Sequence, residues 1–445
     1  MTLRLTERPF GRCIIAVLFA ALMGASAALP ANSQTKEPGP ATAAAVVENY
    51  ANIAQAGYQD SHAAALVLQA KINELIAVPS DTTLLAARDA WKAARVPYMQ
   101  TEVFRFGNQI VDDWEGRVNS WPLDEGLIDY VSGSYGADSP ENELYAANVI
   151  ANPSLKIAGK QVDASQITAK LLSETLQEAG GVEANVATGY HAVEFLLWGQ
   201  DLNGTKAGAG ARPASDYNLK NCTHGNCDRR GQYLTVVTQL LVDDLGWMSK
   251  QWDKDGAARA AVAKSPDSSG LTAIFTGLGS LSRGELAGDR MQVGLLVHDP
   301  EEEHDCFSDN THNSHYYDTV GMQNVYLGRY KRIDGSMVSG PGVGEFLRAK
   351  SAGADERIVK ALDVTLAKMT ALVERANGGE AYDMMIGEGN TDGNAAVQSA
   401  IDALIGQTKE IERGIAVLGL KSIQFDDSSG HDGPPKAGAE QKDKG

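Results

Sequence analysis

Apolar residues recur at helical spacing through nearly the whole chain, and this repetition limits the fold more than any other feature. Over residues 41–78, Val46, Tyr50, Ile53, Tyr58, Ala65, Leu68, Ile72 and Leu75 follow at steps of three, four or seven over most of the run, and Pro79 closes it. Asp81 is placed to cap a second helix, whose apolar positions Leu84, Leu85, Trp91, Tyr98 and Phe104 continue the pattern. The same period predicts helices over 165–179, 182–199, 227–252, 270–297, 314–331, 354–378 and 392–419. Alternating β-branched runs of strand length are nearly absent, so the expected fold class is all-α. Helices of this length bury one stripe against neighbours, which bundles achieve with short connections. A length of 445 residues suggests more than one domain. The segment 201–226 concentrates Gly, Pro, Ser and Asn, so the expected division is a first helical-bundle domain over 45–225 and a second over 226–421. An excursion within one larger helical body is the alternative.

The ends read differently. Residues 1–27 carry Arg4, Arg8 and Arg12 ahead of an apolar core from Cys13 to Met23, then the small residues Ala25 and Ala27. This is the pattern of a signal peptide cut near Ala27, followed by a flexible segment over 28–44. A disordered tail is expected over 422–445, where Gly, Asp, Lys and Pro replace the apolar period. Export implies an oxidising compartment outside the cytoplasm, with no transmembrane span in the mature chain. Of the cysteines that remain, Cys222 and Cys227 are the local disulfide candidates, although Cys306 could pair with either.

Charge and missing motifs narrow the function. With 39 Lys and Arg against 57 Asp and Glu, the formal net charge is -18, so nucleic acid is not an expected partner. There is no HExxH, GxSxG, Walker loop, dinucleotide fingerprint or CxxCH.

Three segments could carry chemistry. In GYHAVEFLLWGQD (189–201), His191 and Glu194 stand three apart on one face of an otherwise apolar helix, where a buried imidazole and carboxylate need a partner or a metal. In 101–130, Glu102, Asp112 and other acids interleave with Phe104, Trp114 and Trp121. They are either structural ion pairs of Arg105 and Arg117 or further ligands, with a bend near Gly107 needed to bring Glu102 and Asp112 together. In 297–326, His298, His304, His312 and His315 lie among Asp299, Glu301, Glu302, Glu303, Asp305 and Asp309. That density offers nitrogen and oxygen ligands, or else forms a solvated helix start with capping histidines; His298 and His304 flank the acidic run. Arg229 and Arg230 either seal a helix interface beside Asp243 or Asp244 or hold an anion.

On these residues the chain resembles the imelysin-like family, in its iron-regulated branch, over about 45–420. Its most specific mark is GxHxxE, here Gly189, His191 and Glu194, supported by FRFGN, WPLDEGLIDY, CDRRGQYLTVVTQLLVDDL and EEEHDCFSDNTHNSHYYDTVGMQNVY. The resemblance implies an envelope protein of two helical-bundle domains with a functional cleft between them, associated with iron uptake, some relatives being classed as metallopeptidases. The expected metal ligands are His191, Glu194, Glu102, Asp112 and His298, the last three from local chemistry alone. Iron is the expected ion, with zinc or another divalent cation as alternative, and envelope iron-uptake components are possible partners. Three functions are consistent with this reading: a noncatalytic metal-binding protein, a metal-dependent peptidase, or an envelope protein binding a ligand without metal.

Overall fold

The computed structural model describes residues 41–263, 269–420, 423 and 425. The expected signal peptide (1–27), nearly all of the flexible segment (28–44) and nearly all of the tail (422–445) lie outside the described residues.

The chain opens with α1 (Ala43–Ala77), whose amino end is capped by the Thr42 hydroxyl, and α2 (Asp81–Met99), held by a Ser80–Thr83 capping box. Pro97 cannot donate to the preceding turn, and α2 ends two residues later instead of running on to Phe104. Short α3 (Gln109–Glu115) and α4 (Glu125–Ile128) follow, then α5 (Gly189–Trp198), α6 (Cys227–Gln251), α7 (Ala257–Ala263), α8 (Ser269–Ser280) and α9 (Val293–Val297). Between α8 and α9, Leu281–Gln292 winds as a π-helix, so helical structure is continuous from 269 to 297. The remainder comprises α10 (Thr311–Leu327), α11 (Val343–Arg348), α12 (Ala352–Asn377), α13 (Tyr382–Ile386) and α14 (Thr391–Leu418).

The long apolar periods therefore become helices, and the fold is mainly all-α. Some expectations fail locally. Residues 165–179 hold only a π-helical stretch, Leu171–Leu176, which ends where Gln177 leaves the helical conformation and Glu178 takes φ +53°, and of the helix expected over 182–199 only Gly189–Trp198 forms. Two antiparallel hairpins were not expected, β1 (Ser154–Ile157) with β2 (Lys160–Asp163) and β3 (Arg329–Lys331) with β4 (Met337–Ser339). Strands of three or four residues are too short to show an alternation.

One hydrophobic core runs through the described body, from Val46 and Trp91 through Phe195, Leu234 and Phe275 to Ile401. Helix α1 packs on α2 and α6 and also on α8, while α12 packs on α10 and α14. Among the described residues no helix is long and apolar enough to cross a membrane. The Cys222–Cys227 disulfide is formed and Cys306 is a buried free thiol.

Candidate metal centre

Helix α5 is short, buried at every position and enclosed by α2 and α6. Its entry depends on Gly189. That residue has φ +83°, and a Cβ there would lie 2.5 Å from the Val118 carbonyl oxygen, to which the Tyr190 amide donates at 2.7 Å. The glycine of GxHxxE is thus a close-approach residue that seats the helix. Two positions on, His191 faces the interior, and one turn later Glu194 meets it: His191 Nδ1 lies 3.0 Å from Glu194 Oε2. The other carboxylate oxygen accepts the Ser308 amide at 3.0 Å.

Ser308 belongs to the loop before α10, and this loop brings the next two groups. The His304 ring stands 4.7 Å from that of His191, centroid to centroid, and ligand atoms of His191, His304 and Asp305 all lie within 4.8 Å of one another. Each of these side chains and Glu194 is at most 1% exposed. Asp305 is fixed from several sides: Oδ1 accepts from Arg95 at 2.8 Å, while Oδ2 accepts from Asn310 at 2.8 Å and Ser314 at 2.5 Å. Arg95 also donates to Asn119 at 2.6 Å and has a second nitrogen 3.2 Å from His304 Nδ1.

Electrostatics follow from this enclosure. Burial, reinforced by the Arg95 charge, lowers His191 to about 3, and burial with Arg290, His191 and Arg95 holds His304 well below its ordinary value. Both rings are neutral at neutral pH, the state that binds metals. Burial would raise Asp305, but Arg95 overrides it and the carboxyl falls to about 2. Glu194 is pushed well up by burial and by Asp305. His191 Nε2 is buried without a hydrogen-bond partner. A cation that ionises Glu194 would let Nδ1–H donate to it and leave a free lone pair on Nε2. A carboxylate behind a metal-binding imidazole is the usual way of fixing its tautomer.

The other expected ligands go elsewhere. Glu102 is buried beside the centre, but Oε2 accepts from Arg290 at 2.7 Å, and Arg290 also holds Glu285 and Asp318. The bend at Gly107 exists, with φ +83°, yet Asp112 emerges on an outer face, 43% exposed, paired with Arg105 at 2.9 Å. His298 ends α9 with φ +56°, a turn that directs Nδ1 to the Ile386 carbonyl at 2.7 Å. The structure thus unites His191 with Glu194 and adds His304 and Asp305, whereas Glu102, Asp112 and His298 have other partners. His304 and Asp305 were visible as members of an acidic, histidine-rich run, but which of them turn inward depends on the turn at His298 and on Arg95, distant in sequence.

The arginine pair also has a different partner from those expected. Arg230 forms a bidentate bridge to Asp129, at 2.6 and 3.0 Å, rather than meeting Asp243 or Asp244. Arg229 donates to the carbonyls of Val149, Ile150, Ala164 and Ser165. Both side chains tie the 129–165 region to α6.

The donor set fits a metal on chemical grounds: two neutral imidazoles, one carrying an unpartnered nitrogen, and carboxylates in excess. Arg95 and Arg290 offset Glu102, Glu285 and Asp305, while burial pushes Glu194 and Asp318 well up, so an entering cation would take the place of protons on those two carboxyls.

Known proteins agree with this architecture. A stretch 35% identical over 83 residues occurs in iron-regulated protein A of Synechococcus elongatus, spanning 18% of this chain and 21% of that relative. A solved structure described as an iron-regulated protein A precursor of Parabacteroides distasonis superposes with a TM-score of 0.61 at 19% identity, covering 88% of this chain and 98% of the other. An imelysin-like protein of Psychrobacter arcticum superposes with a TM-score of 0.56 at 17% identity, covering 87% and 99%. The family model for imelysin, the M75 peptidase family, matches residues 54–411, and the chain belongs to that family.

Proposed function

We propose that this protein is a noncatalytic metal-binding protein of the cell envelope that takes part in iron handling. The observation that carries the reading is the buried, unpartnered Nε2 of His191, on a ring held by Glu194 and grouped with His304 and Asp305. In this reading His191, His304 and Asp305 supply the donor atoms, and Glu194 orients the His191 ring through Nδ1. Residues 45–225 would contribute the first imidazole and residues 226–421 the second imidazole and the carboxylate, so the two-bundle division would put the ion between them. Nitrogen and oxygen donors of this kind suit iron, zinc and manganese alike. The preference for iron comes from the names of the relatives. Export by residues 1–27 would place the protein in the periplasm or at the outer envelope, where iron-uptake components are the natural partners.

The peptidase reading rests on the family to which the chain belongs. A bound ion would supply Lewis acidity and an activated water for hydrolysis. Burial speaks for binding instead: the four side chains are enclosed, and both Glu194 oxygens already have partners. Elemental analysis combined with anomalous diffraction of metal-loaded protein tests the assignment. His191→Ala is expected to lose the bound ion with its helical signal intact, and Glu194→Gln to bind about 10–100-fold more weakly. Unchanged metal stoichiometry in His191→Ala would remove this site, and chelator-sensitive cleavage of unfolded polypeptide, lost in the same variant, would restore the peptidase reading.

A further inference from the structure

A second group of acids lies elsewhere in the fold. Asp201 follows the end of α5, Asp309 occupies the loop before α10 with φ +51°, and Asp383 is the second residue of α13. Carboxylate oxygens of the three lie within 4.8 Å of one another. Asp383 is fully buried and neither of its oxygens has a hydrogen-bond partner; Asp309 Oδ1 is likewise buried and unpartnered. Asp201 is oriented by Asn203, whose backbone and side-chain amides donate to Oδ1 at 2.9 and 2.8 Å.

An independent observation comes from Glu303. It is outside the trio and wholly buried, neither oxygen has a hydrogen-bond partner, and its strongest charged neighbours are Asp383 and Asp309. Local relief, from the Thr311 hydroxyl near Glu303, the Asp383 and Met384 amides near the Asp383 carboxyl and the Lys92 charge acting on Asp309, is outweighed by burial. Burial and mutual repulsion raise Asp309 to about 7 and Asp383 to about 6. The nearest basic group acting on Asp309 is Lys92, whose ammonium lies over the Trp198 ring. Several other buried acids meet an arginine: Asp305 with Arg95, Asp129 with Arg212 and Arg230, Glu102 with Arg290. Buried carboxylates without counter-charge are costly, so such a cluster either keeps protons or takes a cation.

We propose that Asp201, Asp309 and Asp383, with Glu303 behind them, form a second cation site, of the calcium class. The donors are oxygen alone, which selects hard ions, and they come from separate segments in an irregular arrangement, which suits calcium better than the strict octahedron of magnesium. Two calcium–oxygen bonds of about 2.4 Å reach about 4.8 Å across the ion, and the three aspartates offer oxygens no farther apart than that. Asp201 and Asp309 are partly exposed, giving the ion an entry from solvent. The site is separate from the histidine centre in its ligands and stands whether or not that centre binds metal. It would nevertheless fasten the loop that presents His304 and Asp305, by joining that loop to the end of α5 and to α13.

The test is calorimetric titration of the full chain, stripped by chelator, with calcium chloride at pH 7.5. One equivalent is expected to bind, and calcium at about a hundred-fold over its Kd should raise the melting midpoint by about 3 °C. Asp383→Asn and Asp309→Asn are expected to abolish saturable binding and yet, in chelator, to melt no lower than the parent, because each removes an uncompensated charge. His191→Ala is expected to keep its calcium equivalent. Terbium luminescence sensitised by the adjacent Tyr382 provides a second readout, lost in the same two variants. Absence of calcium and terbium binding by the parent, or binding that persists in both asparagine variants, overturns the proposal.

Discussion

The histidine centre and the aspartate cluster are both buried, both rich in carboxylates and both served by the loop from Glu303 to Asn310, but they differ in what balances their charge. At the first, Arg95 and Arg290 are built in, so Asp305 and Glu102 are held by guanidinium groups, and among His191, Glu194, His304 and Asp305 the unmet atom is an imidazole nitrogen. At the second, no arginine or lysine forms an ion pair with Asp201, Glu303, Asp309 or Asp383 among the described residues, and the unmet atoms are carboxylate oxygens. The difference teaches that a buried acid is informative about ligands only after its counter-charge has been found. Where the protein supplies one, the acid is architecture; where it does not, the acid awaits something from outside.

The contrast is broken most strongly by removing a built-in counter-charge. Arg95→Met leaves Asp305 buried without its partner, and urea unfolding should show a loss of about 3–5 kcal/mol. A loss as small as that of a surface substitution would mean that Asp305 does not depend on Arg95, and the two centres would no longer differ in kind.

A second, intermediate effect lies in pH. His191 and His315 are lowered to about 3 and His312 to about 4 by burial, so the unfolded chain takes up their protons first, and stability falls as pH drops from about 6.5 toward 3. Asp309 and Asp383 are raised, to about 7 and about 6, so their contribution is full below an unfolded value of about 4 and is lost as pH rises through 6 to 7. Melting midpoints measured in chelator from pH 4 to 8 should therefore decline on both sides. Asp383→Asn, which also removes a charge that raises Asp309, should lessen the alkaline decline without abolishing it, because Glu125 at about 7 and Glu301 at about 8 titrate there too; an unchanged alkaline slope would detach that decline from the aspartate cluster.

The smallest effect sharpens the assignment of Glu102. Arg290 keeps Glu285 and Asp318 when Glu102 becomes Gln, so Glu102→Gln should cost about 1 kcal/mol, with metal content unchanged by elemental analysis. Loss of the ion in that variant would return Glu102 to the ligand set.

What the sequence disclosed follows from the range of each interaction. The period of α1, α6, α12 and α14 is carried by neighbours three and four residues apart, so those helices were readable nearly to their ends. His191 and Glu194 were readable for the same reason, since one helical turn sets their meeting. The fates of Glu102 and His298 were not, because each is decided by a partner distant in sequence, Arg290 for the first and the Ile386 carbonyl for the second, whereas Asp112 takes the ion pair with Arg105 that was one of the two readings of its segment. The same distance hid Asp383, which stands among ordinary residues in sequence and reaches Asp201 and Asp309 only through the packing of α13.

The π-helical stretch Leu281–Gln292 carries both Glu285 and Arg290 within an otherwise continuous helical rod. Its wide winding acts as a phase adjustment between the two ends of that rod. Losing a single residue there would leave helix on both sides while turning the downstream segment by about 100°, so the guanidinium of Arg290 would aim away from the acids it gathers. Register in this rod is therefore constrained as tightly as residue identity, and length variation among relatives should be rarer inside it than in the surrounding loops.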